Sequence, residues 1–149
     1  MASDANHAHN IGHRPRPVAT DSTRPFWTAA LANELSLPRC AKCDVIYYPP
    51  PPRCPRCLGD RFDWISLSRR GRIAGMTTVH LATIPGVEPP FTMVEIELVE
   101  QKGLILTTLL TSEKPAQASV GDPVILEFTE PDPRGVAYPQ ARATAEVQP

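Results

Sequence analysis

Long apolar runs are missing from this chain. No stretch approaches the roughly 18 consecutive apolar residues of a membrane-spanning helix, so a helical anchor is not expected. Met1 to Ala19 hold neither the apolar core of a secretory signal nor an Arg-rich amphipathic face, and the expected location is the cytoplasm. Histidine is scarce. Of four, His7, His9 and His13 sit in the polar leading segment and read as solvated tail residues. His80 alone falls in a patterned stretch, where it reads as a packed strand residue. No serine stands in a nucleophile elbow, and no glycine-rich loop is present to cradle a phosphate. Glu95 and Glu97 alternate with apolar neighbours, which marks a solvated strand face rather than an acid–base pair. The chain is therefore not expected to be an enzyme on its own.

Cysteine is absent except in one place. All four cysteines lie in Cys40-Ala41-Lys42-Cys43 and Cys54-Pro55-Arg56-Cys57, with ten residues between the pairs and none left over. Each Cys-x-x-Cys turn aims two thiolates to one side, and the intervening chain returns the second pair to face the first. That is what a tetrahedral Zn²⁺ site needs. A site closed by four thiolates has no open position for substrate or water, so it is expected to be structural. Iron in a tetrathiolate site is an alternative, because the geometry suits both metals. Disulfides would need an oxidising compartment. A thioredoxin-like redox pair would leave the second Cys-x-x-Cys unexplained.

Proline is plentiful, 18 in 149 residues, and argues against a helical protein; a hydrophobic content of 42% is globular. The net charge of −1 conceals a segregation. Residues 39–72 carry eight basic and three acidic residues, whereas residues 73–149 carry four basic and ten acidic. The basic part suits phosphate groups, nucleic acid or an acidic protein surface. A metal module of this size cannot hold a sizeable core, so the remainder is expected to supply a second unit.

In chain order, residues 1–22 are polar and aperiodic and are expected to be a disordered tail. Residues 23–38 form a docking segment whose helix is expected over 24–36. Ser22 or Thr23 would cap it and Pro25 would sit in the first turn. Trp27, Leu31 and Leu35 recur at helical spacing and Phe26 widens the stripe; it must dock on the chain's own domains or on a partner, and it is expected to pack wholly or partly on a partner. Residues 39–66 form the ribbon, with a strand at Val45–Tyr48, a stiff crossover at Pro49–Pro52, Gly59 relieving the second turn, and an exit strand from Phe62 to Ile65. From Arg69 the period changes to two. Strands are expected at Ile73–Thr83, Thr92–Val99, Leu104–Thr111, Val124–Thr129 and near Ala137–Ala143. Gln101-Lys102-Gly103 is the hairpin turn, and Ser112–Ser119 a polar connection. Short strands around a central hairpin favour a small closed barrel over 67–130, with 131–149 a C-terminal extension that adds the last strand.

Together these residues resemble a known family. Pro25-Phe26-Trp27 opens a short helix, then come Arg39-Cys-x-x-Cys43, Tyr48-Pro-Pro, Cys54-Pro-x-Cys57 and an aromatic exit at Trp64. Gly71-x-Ile73, Pro90-Phe91, a glycine hairpin and Val120-Gly121-Asp122-Pro-Val124 follow. The pattern, over about residues 24–130, is similar to the zinc-ribbon/OB-fold acyl-CoA-associated proteins, long filed as domain of unknown function thirty-five. The resemblance implies a mainly β protein: an N-terminal helix, a rubredoxin-like zinc ribbon and a small OB-fold β-barrel. It implies a non-catalytic accessory subunit of a thiolase-fold acyltransferase or a retro-aldolase that shortens steroid side chains, at times beside a hot-dog-fold hydratase. It also implies a hetero-oligomer that supports acyl-CoA binding or channelling. On this reading Cys40, Cys43, Cys54 and Cys57 hold structural Zn²⁺. Arg69, Arg70 and Arg72 meet CoA phosphates, and Phe26, Trp27, Leu31 and Leu35 dock on the partner. One departure is Asp44, where glycine is usual after the first knuckle; aspartate tolerates left-handed backbone. The acidic barrel and its few aromatics speak against the alternative, a single-stranded nucleic-acid binder.

Overall fold

The structure, a computed structural model, describes residues 14–112 and 117–144. The histidines of the leading segment up to His13, the middle of the 112–119 connection and residues 145–149 lie outside the described residues. Among the described residues one α-helix and seven strands follow in order: α1 (Arg24–Ala30), β1 (Leu35–Cys40), β2 (Phe62–Leu67), β3 (Arg70–Val79), β4 (Phe91–Leu98), β5 (Ile105–Thr111), β6 (Pro123–Phe128) and β7 (Pro139–Ala143). β1 and β2 make a two-stranded antiparallel sheet, and the other five close into a barrel in the order β3-β4-β5-β7-β6.

The helix is shorter than the 24–36 expected from its apolar spacing. Asn33 takes a left-handed φ of 55°. The Asn33 amide donates to the Ala30 carbonyl and the Glu34 amide to the Ala29 carbonyl, a Schellman-type stop. The Asn33 side chain then accepts from the Phe128 amide at 3.0 Å, tying the end of the helix to the barrel. Leu35 therefore belongs to β1, paired with Leu67, and not to a helical stripe. Thr23 is the N-cap residue but makes no side-chain cap; its hydroxyl accepts from the Thr20 amide instead. Of the 1–22 segment expected to be disordered, Arg14 and Pro15 are tied to the turn before β7: their carbonyls accept from Arg134 and the Tyr138 hydroxyl. Val45–Tyr48 does not form a strand; only Ile46 bridges, to Arg39.

The barrel follows its alternation. Val94, Ile96 and Leu98 on β4 and Val124, Leu126 and Phe128 on β6 point inward and are buried. Gly71 permits the tightest approach, because a Cβ there would lie 2.4 Å from the Ile96 side chain and 2.7 Å from the Glu97 carbonyl oxygen. A register shift between Ile73 and Gly75 bends β3 so that it pairs with β6 at its start and β4 along its length. β7 closes the barrel by lying parallel to β5 and antiparallel to β6, so this last strand is a stave rather than an appendage. Thr108 and Thr111 hydroxyls donate to the Pro139 and Ala141 carbonyls across that parallel seam.

A single core joins the ribbon and the barrel. Leu35, Leu37 and Ile46 from the ribbon pack in the same cluster as Ile73, Ile96, Leu106 and Leu126 from the barrel. Phe26 is the bolt, with ring centroids 5.0 Å from Trp27, 5.7 Å from Tyr48 and 5.8 Å from Phe128. A smaller cluster of Val87, Phe91 and Leu109 lies under the β3–β4 loop.

Candidate metal centre

The four cysteines come together because the two turns repeat one backbone pattern. The Cys40 amide donates to the Val45 carbonyl and the Asp44 amide to Cys40. Likewise the Cys54 amide donates to Gly59 and the Leu58 amide to Cys54. Each turn has its left-handed residue just after the second cysteine, Asp44 and Leu58, both at φ 60°. The expectation that Gly59 relieves the second turn is thus off by one residue. The signal was in the sequence: Leu58 follows its knuckle as Asp44 follows the first.

The sulfur atoms all lie within 4.8 Å of one another. The Cys40–Cys57 and Cys43–Cys54 Sγ pairs are 3.5 Å apart, too far for disulfides. A tetrahedral Zn–S distance of about 2.3 Å requires sulfurs about 3.8 Å apart, so the four fit the ion. Cys40 and Cys54 are fully buried. Burial alone pushes the Cys54 thiol up, but the Tyr47 hydroxyl and the Cys57 and Arg56 amides outweigh it and hold the pKa at about 6. At Cys43 the Val45 amide pulls the pKa down, yet burial and the neighbouring thiols push it up to about 12. Without a cation the four sulfurs cannot all be thiolates; a divalent metal removes that conflict. Sequence reasoning missed Tyr47, whose hydroxyl lies 3.2 Å from Cys54 Sγ. That contact, more than its burial, pushes the Tyr47 pKa up to about 12.

The other expected site residues scatter. Phe26 and Leu35 are buried within the chain and offer nothing to a partner, whereas Leu31 is 48% exposed and Trp27 is half-buried. Arg70 and Arg72 are exposed and flank buried Gly71 on β3; Arg72 donates to the Gly121 carbonyl at 3.0 Å. Arg69 takes a left-handed φ of 66°, and its carbonyl accepts from the Leu126 amide. His80 lies past β3 and is exposed, not packed.

The geometry agrees with comparison to known proteins. Residues 27–63 match the ChsH2 rubredoxin-like zinc ribbon domain, and residues 64–129 match the ChsH2 C-terminal OB-fold domain. A chain of the solved Ltp2-ChsH2(DUF35) aldolase superimposes with a TM-score of 0.76 at 30% identity, over 86% of this chain and 98% of that one. The chain belongs to the ChsH2 family. The metal of its ribbon is accordingly structural zinc. A probable enoyl-CoA hydratase alpha subunit of Thermomonospora curvata is 34% identical over 120 residues, 80% of this chain and 37% of that protein. Benzoylsuccinyl-CoA thiolase subunit BbsA of Thauera aromatica is 32% identical over 62 residues, 42% of each. The matched stretches thus span less than half the length of these two curated relatives. The ChsH2 domain boundary between residues 63 and 64 falls inside β2, which is where the shared core joins the two parts.

Proposed function

We propose that this chain is a non-catalytic accessory subunit of an acyl-CoA-processing complex, docked on a thiolase-fold acyltransferase or retro-aldolase subunit. The observation that carries the reading is its 30% identity across 98% of a chain in the Ltp2-ChsH2(DUF35) aldolase. Relatives named for a thiolase subunit and an enoyl-CoA hydratase subunit point to the same class of thioester chemistry. In this reading zinc holds the ribbon rigid, and the ribbon's exit strand leads to exposed Arg70 and Arg72, whose guanidinium groups reach CoA phosphates as charge-assisted donors. Arg69 shapes the entry to β3, its carbonyl held by the Leu126 amide, and Arg72 keeps donors beyond the one given to Gly121. Support of thioester binding or channelling, a steroid side-chain substrate, a hot-dog-fold hydratase as a further partner and a cytoplasmic location are finer parts of the same proposal.

Nucleic acid is set aside on a specific observation. OB-folds bind oligonucleotides on the face of their second and third strands, here β4 and β5. Exposed Glu95 lies on that face, and the β3–β4 loop packs Val87 over Phe91 and Leu109. Phosphates would meet a carboxylate, and two apolar side chains that bases would stack on are already covered.

Co-expression with each thiolase-fold protein encoded in the same genome tests the proposal. One of them co-elutes with this chain and gains CoA-thioester turnover. Reversing Arg70 and Arg72 to glutamate leaves the complex assembled and raises KM for the thioester severalfold. Failure of every such subunit to co-elute or gain activity refutes the reading.

A further inference from the structure

With Phe26 and Leu35 in the core, the surface left around Trp27 is a groove. Arg16, Val18, Trp27, Val136 and Ala137 line a half-open space of about 480 Å³. Its two walls hang from one buried carboxylate. Asp132, whose side chain is 1% exposed, accepts the Arg134 and Val136 amides on Oδ1 at 2.9 and 3.0 Å, which shapes the turn forming one wall. Its Oδ2 takes the Arg134 guanidinium at 2.7 and 2.9 Å. Arg134 in turn donates to the Arg14 carbonyl at 2.9 Å, and Tyr138 donates to the Pro15 carbonyl at 3.3 Å. These two bonds hold the segment that continues into Arg16–Ala19 and forms the opposite wall.

Two arginines beside the groove have no carboxylate partner among the described residues. The Arg14 guanidinium lies 4.6 Å from the Tyr138 ring centroid, and burial lowers its pKa. Among the described residues no carboxylate pairs with Arg14 or Arg16, whereas nearby Arg24 is paired with Asp21 at 2.9 Å. A desolvated cation without a counter-charge favours an anionic group arriving from outside. Leu31, one helical turn on from Trp27 and outside the groove lining, is 48% exposed, so apolar surface continues beyond the groove. Its half-open shape suits side chains of a polypeptide laid along it better than an acyl chain, which needs enclosure.

We propose that the groove beside Trp27 receives an apolar side chain from a polypeptide segment of the partner subunit, with a carboxylate on that segment meeting Arg14 and Arg16. This rests on the reading that the chain works as a subunit. It replaces a helical docking stripe with a groove made by residues 16–19, the helix and the 135–137 turn, and tryptophan and arginine are the residue types that dominate such contacts.

Nitrogen-15 NMR of the zinc-loaded full chain tests it with three synthetic 12-residue peptides. One has a central Phe flanked by Glu, one the same Phe flanked by Lys, and one a central Ala flanked by Glu. The Phe/Glu peptide shifts the Trp27 indole and the Gly135, Val136 and Ala137 amides saturably, and the other two bind at least tenfold more weakly. Arg14→Glu with Arg16→Glu weakens the Phe/Glu peptide at least tenfold at unchanged zinc content, and this surface variant carries the test if Trp27→Ala does not fold. No shifts at these positions, or equal binding of the Lys-flanked peptide, overturns the proposal. A thiolase-fold subunit that co-elutes undiminished with the double arginine variant refutes the groove and leaves the subunit reading standing. Peptide binding at the groove with no co-eluting subunit does the reverse.

Discussion

Leu58 and Asp44 occupy equivalent left-handed positions, but only Asp44 has a side chain that suits one. A non-glycine residue in this region costs roughly 1–2 kcal/mol, and Leu58 is 72% exposed, so little packing offsets the strain. Leu58→Gly is expected to stabilise the zinc-loaded protein by up to about 1 kcal/mol, part of the relief being cancelled by glycine's greater unfolded freedom. A urea midpoint that falls would contradict this. Asp132 carries a pH signature. Burial pushes its carboxyl up, but the Val136 amide and the Arg134 guanidinium and amide outweigh that, so its folded pKa lies below the ordinary value. Its contribution to stability is therefore fully present above the unfolded carboxylate pKa of about 3.9 and is lost as pH falls through the lowered folded value. Zinc release also weakens the fold in acid, so the difference between wild type and Asp132→Asn is the quantity to follow. Thermal midpoints should converge as pH falls below about 4 and separate above it.

At the scale of elements, the β4–β5 turn connects the ribbon to the barrel. The Gln101 side chain reaches Ile46 across 55 residues of sequence, accepting from its amide at 2.8 Å and donating to its carbonyl at 2.9 Å. The amide group thus imitates a paired strand. Glu100 takes the Ser68 amide at 2.6 Å, holding the β2–β3 junction from the same turn. Gln101→Ala leaves both Ile46 groups without a partner, at a cost of about 1–3 kcal/mol. Hydrogen exchange at the Ile46 amide should accelerate while zinc stays bound, and unchanged protection there would show that the clasp is incidental. The turn itself was legible, because Gly103 at φ 77° is what a hairpin here needs. What Gln101 does was not legible, since nothing local marks a glutamine as the partner of a backbone so distant in sequence.

At the scale of the molecule, ribbon and barrel share one hydrophobic cluster, with Phe26 in contact with both. Unfolding should therefore be a single transition. Structural zinc in small modules supplies on the order of 10 kcal/mol of folding free energy, and a shared core passes its loss to the barrel. Chelation of zinc is expected to lower the midpoints seen by tryptophan fluorescence and by strand circular dichroism together. A barrel transition unmoved by chelation would show two independent units.

The sequence by itself determined the metal ligands, the strand alternation of β4 and β6 and the mainly β class. Each rests on local spacing: two residues between cysteines in a turn, one between inward side chains of a strand. Tertiary structure alone decided the rest. Leu31 and Leu35 share a helical spacing, yet Asn33 stops the helix and Leu67 draws Leu35 into a strand. Phe26 has the sequence profile of a partner anchor, and only the approach of Tyr48 and Phe128 makes it core. Apolar periodicity states that a face will be covered; which surface covers it depends on contacts between segments distant in sequence, and those form only in the folded chain.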